Sequence, residues 1–152
     1  MTYAEEGSFL AHEQATMLLA VVAAAESGQR DEIPVGAVIQ HELGWILAEA
    51  GNDSIAACDP VGHAEVRALR QAAWCRGNYR LPDGQLFVTL EPCPLCQEAA
   101  DLARLSRVVF AAQRPEPSGM GSQQLAYAAA SLQMVRHFFS VRRGKEPTED
   151  PI

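Results

Sequence analysis

The sequence predicts a single α/β domain, a three-layer α/β/α sandwich built on a mixed sheet of four to five strands. Three observations predict it. Apolar segments with helical spacing alternate with short β-branched runs in the order α-β-β-α-β-α-β-α. The first two strands lie close enough for a hairpin, whereas the later two are separated by a helix, which calls for parallel pairing through right-handed crossovers. The chain of 152 residues is 48% apolar and 20% charged, ordinary for one globular domain and wrong for a disordered or fibrous chain.

Ser8 is suited to cap a first helix over about 9–27 and Gly28 to end it, with Leu10, Met17, Leu18, Val21, Val22 and Ala25 near helical spacing. Ile33-Pro34-Val35-Gly36-Ala37-Val38-Ile39 reads as a buried strand entered through proline, and Trp45 to Ala50 as its hairpin partner. Asn52 to Pro60 is a polar loop. Gly62 to about Arg76 is helical in pattern with Val66, Leu69 and Ala73 on one face, and Trp74 and Cys75 are expected in the core. Gln85 to Leu90 is the third strand, and Glu91-Pro92-Cys93 leads into a helix from Cys93 to about Leu105, since proline suits a first turn. Arg107 to Ala112 is the fourth strand, 114–122 a Pro/Gly loop, and 123–143 a long final helix in which Phe138 and Phe139 pack. The single domain is expected to span 1–152, with 144–152 a frayed tail.

The net charge is −7, which argues against a general nucleic-acid coat protein. It is unevenly spread: residues 1–65 hold 11 acids and one base, and residues 66–152 hold 8 acids and 11 bases. The cysteines are at 58, 75, 93 and 96. A chain of this size needs no disulfide scaffold, which favours a reducing, cytoplasmic setting, with Cys58 an incidental loop thiol. The apolar run Ala15–Ala25 follows Glu5, Glu6 and Glu13 without any Lys or Arg. It is therefore read as a buried helix rather than a leader, and it is too short to span a bilayer.

Two short motifs carry chemistry, His63-Ala64-Glu65 and Pro92-Cys93-Pro94-Leu95-Cys96. Each opens a predicted helix, so two helix N-termini can converge on one metal. Two thiolates and one imidazole make three zinc ligands, His63, Cys93 and Cys96, and catalytic zinc sites use three and leave a fourth position for water. The helix N-termini favour the thiolate form of both cysteines. Glu65, two residues from His63, is left free to shuttle a proton. Together the groups suit hydrolysis at an electrophilic carbon that carries an amine. Other readings of these motifs are a structural zinc, a thiol–disulfide redox pair, which leaves His63-Ala64-Glu65 unexplained, and a silent binding subunit, which has no need of Glu65.

The signature H-x-E followed by P-C-x-x-C is that of the zinc nucleobase deaminases. With IPVGAVI (33–39), Asn52 eleven residues before His63, DPVGHAEVRALR (59–70), NYRL (78–81), LFVTLEPC (86–93) and RVVF (107–110), the chain resembles the bacterial tRNA adenosine deaminases of the cytidine-deaminase-like superfamily over roughly residues 9–122. The resemblance implies one zinc ion per chain, with a water or hydroxide in its open position, and Glu65 as the proton shuttle. It implies that Asn52 hydrogen-bonds the base or its sugar, that the backbone of Ala64 reads the base edge, and that Val35 and Pro92 line the pocket. It further implies a homodimer, no membrane, and a nucleobase substrate, with adenosine in a tRNA anticodon loop leading and a free base or nucleoside (guanine, cytosine or cytidine) as the alternative. FFSVRR (138–143) is similar to the family's basic end, where Arg142 and Arg143, helped by Lys145, would contact RNA. The chain departs from the family in the loop after the fourth strand. Arg114 and Glu116 stand where an Asp and then a Lys are usual, and no fifth strand fits before the final helix.

Overall fold

The structure is a computed structural model that describes residues 2–3, 11–114 and 125–142. Its elements are β1 (Thr2–Tyr3), α1 (Ala11–Gln29), β2 (Gly36–His41), β3 (Ile46–Gly51), α2 (Ala64–Arg76), β4 (Gly84–Leu90), α3 (Pro94–Leu102), β5 (Arg107–Ala112) and α4 (Leu125–Arg142). The α/β order predicted from the sequence is found, preceded by the two-residue β1. The expectations for 144–152 and for Arg143, and most of those for the 114–122 loop, lie outside the described residues.

The five strands form one mixed sheet in the order β1-β5-β4-β2-β3. β2 and β3 are the expected hairpin, β2 also pairs antiparallel with β4, and β4 and β5 run parallel around α3. β1 adds a parallel edge beside β5, with Thr2 opposite Arg107. Strand alternation sends side chains to two separate cores. Ala37, Ile39, Leu86, Val88 and Val108 face α2 and α3, where they pack with Ala64, Ala68, Leu69, Ala72 and Ala100. Val38, Phe87, Val109 and Ala111 face the other way, onto Met17 and Ala20 of α1. α4 packs on that same side, against α1, β4 and β5. The sandwich therefore has three layers. Among the described residues no helix is long and apolar enough to cross a membrane.

α1 lies directly on the backbone of the hairpin. Gly36 and Gly51 are cross-strand partners. A Cβ at Gly36 would come within 2.0 Å of the Ala20 carbonyl oxygen, and one at Gly51 within 1.8 Å of the Ser27 hydroxyl. These are clashes with a helix that cannot back away without leaving the core. Gly36→Ala is therefore expected to destabilise the fold by about 3 kcal/mol or more, read as a drop in the urea midpoint at unchanged slope.

The helix ends differ from the sequence expectations. α1 runs through Gly28 and stops at Gln29, because Asp31 rather than glycine takes the left-handed turn (φ 60°). The Glu32 N–H then reaches the Ser27 carbonyl and the Asp31 N–H that of Gly28, the hydrogen-bond pair of a Schellman cap. α3 ends at Leu102 rather than near Leu105 by the same device. Arg104 sits at φ 62°, and the Leu105 N–H donates to the Ala100 carbonyl. On α2 the inward face is Ala64, Glu65, Ala68, Leu69 and Ala72. Val66 and Ala73 fall at its flanks, half-buried. Trp74, expected in the core, is 85% exposed, and Cys75 is exposed too. Two and three residues beyond Ala72, they have rotated off the inward stripe.

Candidate active site

The two helix starts converge. His63 is the N-cap of α2, in extended conformation (ψ 148°), and Cys93 is the N-cap of α3 (ψ 164°), neither using its side chain as a cap. Both side chains are thus turned away from their own helices and free to meet. Pro94 occupies the first helical turn of α3, and the Gln97 amide donates to the Pro92 carbonyl, pinning the turn that carries Cys93. The helix α3 that presents the cysteines also connects the parallel pair β4 and β5, so the cluster sits by the carboxyl ends of those strands, the customary place for sites in α/β sheets.

The His63 Nδ1 lies 3.5 Å from the Cys93 Sγ and 3.4 Å from the Cys96 Sγ, and the two sulfurs are 3.5 Å apart. Tetrahedral zinc with ordinary bond lengths separates two sulfurs by about 3.8 Å and a sulfur and an imidazole nitrogen by about 3.6 Å. The donor set therefore fits zinc in both chemistry and spacing, with His63 coordinating through Nδ1. Among the described residues no fourth His, Cys, Asp or Glu joins the cluster, which is the open, catalytic pattern. Against the thiolate form expected from the helix start, burial, together with the nearby Glu65 and Cys93, holds the Cys96 thiol far above the ordinary thiol range in the metal-free site. A divalent cation among these groups reverses that penalty, since a coordinating thiol is deprotonated outright. The redox alternative gives no role to His63, whose Nδ1 shares the cysteines' site.

Glu65, in the first turn of α2, is 5% exposed. Burial pushes its carboxyl above the ordinary value, opposed by its own backbone N–H, by His63 and Cys96, and by Arg114. It lines a cavity with Ile33, Val35, Asn52, His63, Leu90, Glu91 and Arg114. Of the residues singled out in the sequence, His63, Glu65, Asn52 and Val35 thus share one cavity. Cys93 and Cys96 stand beside His63. Ala64 and Pro92 are buried and are not among the cavity's lining residues. The side chains of Arg142 and Arg143 are outside the described residues, and Cys58 is an exposed free thiol away from the cluster.

Ile33, Leu90, Glu91 and Arg114 line the cavity without having been singled out as substrate contacts. The signal for Leu90, Glu91 and Arg114 is topological: they lie at or just beyond the carboxyl ends of β4 and β5. The Arg114 N–H donates to the Glu91 carboxylate (3.0 Å) and its Nε to the Glu91 carbonyl (3.3 Å). Its terminal guanidinium nitrogens have no partner among the described residues. The loop at 52–56 is held from below by Glu32, fully buried. Its carboxylate accepts from the Asn52 Nδ2 (3.0 Å), the Ile55 N–H (3.0 Å) and the Ala56 N–H (2.7 Å). Burial alone would raise the Glu32 pKa, but hydrogen bonds from Ala56, Ile55, Asn52 and Ser54 together bring it below the ordinary carboxylate value. A carboxyl lowered on folding adds stability that is full above its unfolded pKa, about 4.3, and lost as pH falls through the lower folded value. Melting temperature should therefore fall below pH 4 more steeply in the wild type than in Glu32→Gln.

The sequence model of the cytidine and deoxycytidylate deaminase zinc-binding region matches residues 10–112. The tRNA-specific adenosine deaminase of Agrobacterium fabrum is 41% identical over 106 residues, 70% of this chain and 69% of that protein. A solved structure from work on A-to-I editing by tRNA:A34 deaminases superposes with TM-score 0.67 at 41% identity, covering 69% of this chain and 80% of that one. Guanine deaminase from Bacillus subtilis superposes with TM-score 0.62 at 28% identity, covering 91% of this chain and 98% of that one.

Proposed function

Because the chain belongs to the cytidine and deoxycytidylate deaminase family, a family of zinc-dependent hydrolases, we propose that it converts adenosine to inosine in tRNA. The observation that carries this reading is the cluster of His63, Cys93 and Cys96, whose His63 shares one cavity with Glu65. The choice of tRNA adenosine rests on the likeness to tRNA adenosine deaminases at 41% identity.

In this reading His63, Cys93 and Cys96 hold the zinc ion, which when bound supplies Lewis acidity and activates a water molecule. Glu65 takes a proton from the attacking water and delivers it to the ring nitrogen beside C6. Oxygen adds to C6, Glu65 moves the remaining proton from that oxygen to the exocyclic amine, and the exocyclic C6–N bond breaks, so water and adenosine leave as inosine and ammonia. A buried carboxyl with a raised pKa suits a group that must both take and give the proton. Asn52 and Val35, which line the cavity, orient the nucleoside. A tRNA substrate places the work in the cytoplasm, with Arg142 and Arg143 adding phosphate contacts. The homodimer belongs to the same reading, supported by Trp74 on α2 and Leu102 on α3, 85% and 73% exposed, since such apolar side chains suit cover by a second copy.

Two observations favour a second reading, a free-base deaminase acting on guanine. The likeness to guanine deaminase covers nearly the whole of both chains, and Arg114 at the cavity departs from the acidic residue usual in the tRNA enzymes. Ammonia release from guanine, cytosine, cytidine, adenosine and a tRNA anticodon stem-loop separates the two. Turnover of the stem-loop alone is expected. Turnover of guanine with an inert stem-loop would transfer the assignment to the second reading.

A further inference from the structure

Resting on the reading of the cavity as the substrate site, we propose that Glu32 is a positioning residue. It holds the Asn52 amide with nitrogen inward and oxygen toward the cavity, so that the site takes a hydrogen-bond donor of the substrate there. The two ends of an asparagine amide are nearly equal in shape, and only hydrogen bonding decides which way it lies. An ionised carboxylate is acceptor-only, so it can be met only by the amide nitrogen, and Asn52 gives Nδ2 to the Glu32 Oε2 at 3.0 Å. The amide oxygen has no partner among the described residues, and Asn52 lines the cavity with His63 and Glu65.

Glu32 is itself immobilised. It follows the left-handed Asp31 in the cap of α1, is fully buried, and fixes its Oε1 on the N–H groups of Ile55 and Ala56. The Asn52 backbone is pinned as well, its N–H donating to the Val35 carbonyl (3.0 Å) and its carbonyl accepting from the Ser27 hydroxyl (3.3 Å). The amide's orientation is thus what remains for Glu32 to decide. The donor it selects is a sugar hydroxyl or an N–H of the base. A carboxylate kept ionised by its hydrogen bonds holds this polarity across the neutral pH range.

The geometry dictates the test. In Glu32→Gln the carboxamide oxygen stays on the two loop N–H groups, and its nitrogen takes the place of Oε2. Asn52 must then turn its oxygen inward and show its nitrogen to the cavity. Asn52→Asp instead sets two carboxylates against each other. Glu32→Gln with Asn52→Asp restores a hydrogen bond between the two positions and an oxygen facing the cavity. kcat/KM is measured for these variants, for Asn52→Ala, and for Glu32→Gln in the Asn52→Ala background, with zinc content and melting temperature recorded for each.

Glu32→Gln is expected to lower kcat/KM about 10- to 100-fold. In the Asn52→Ala background the same change should cost less than about threefold. The exchanged pair should recover to within about tenfold of wild type while Asn52→Asp alone does not. Additive losses in the two backgrounds, or an exchanged pair that folds, binds zinc and stays as inactive as Asn52→Asp, would overturn the proposal. A wild type that turns over no nucleobase substrate would instead overturn the functional reading, and this proposal with it.

Discussion

Glu65→Gln is expected to cut ammonia release by at least about a thousandfold while the protein keeps its zinc and its fold. The magnitude follows from the double duty of the side chain. Glu65 is the cavity's buried carboxylate, within reach of His63 and Cys96, and both proton transfers in the proposed reaction run through it. An amide of the same shape preserves the packing at a position only 5% exposed but cannot take and return a proton. Because Glu65 is no metal ligand in this account, metal analysis should return wild-type zinc. A variant that loses zinc along with activity would make Glu65 part of the metal cluster instead.

The second large effect is expected at Cys96, which is fully buried and 3.4 Å from the His63 Nδ1. Cys96→Ala leaves two ligands, too few to hold zinc at a catalytic site. Activity should drop by at least about a thousandfold, and zinc content should fall with it. Stability gives an independent readout. A ligand that binds only the folded state stabilises by about 4 kcal/mol at a thousandfold excess over its Kd. Wild type should therefore melt at a lower temperature in chelator than in zinc, and Cys96→Ala should melt alike in both. A zinc-dependent melt that survives in Cys96→Ala would contradict the ligand set.

The sequence exposed the chemistry more fully than the packing, for physical reasons. His63 and Glu65, and Cys93 and Cys96, lie in two short motifs at helix starts, so each pair is set by local spacing; the fold then brings His63, Cys93 and Cys96 within 3.5 Å of one another, with Glu65 in the cavity that His63 lines. The hairpin and the parallel late pair were legible from connection lengths, whereas the β2–β4 pairing and the edge strand β1 were not. Helix ends were less legible, because Asp31 and Arg104 take left-handed turns that glycine would have announced. Trp74 read as core because it is large and apolar, although the helical phase set by Ala68, Leu69 and Ala72 turns it outward. Glu32 was illegible. A single acid before an apolar strand gives no sign of burial, and its partners at 52, 55 and 56 are brought to it only by the fold. Arg114 and Glu91 reach the cavity through the parallel pairing of β4 and β5, a tertiary fact.

Hydrolytic deamination of adenosine in tRNA can be followed as inosine formed in a tRNA anticodon stem-loop incubated with the zinc-loaded protein, with Glu65→Gln as the blank. Inosine is expected at the wobble adenosine together with one equivalent of ammonia, and neither with the blank. Zinc-loaded, folded wild-type protein that leaves that adenosine unchanged would contradict it.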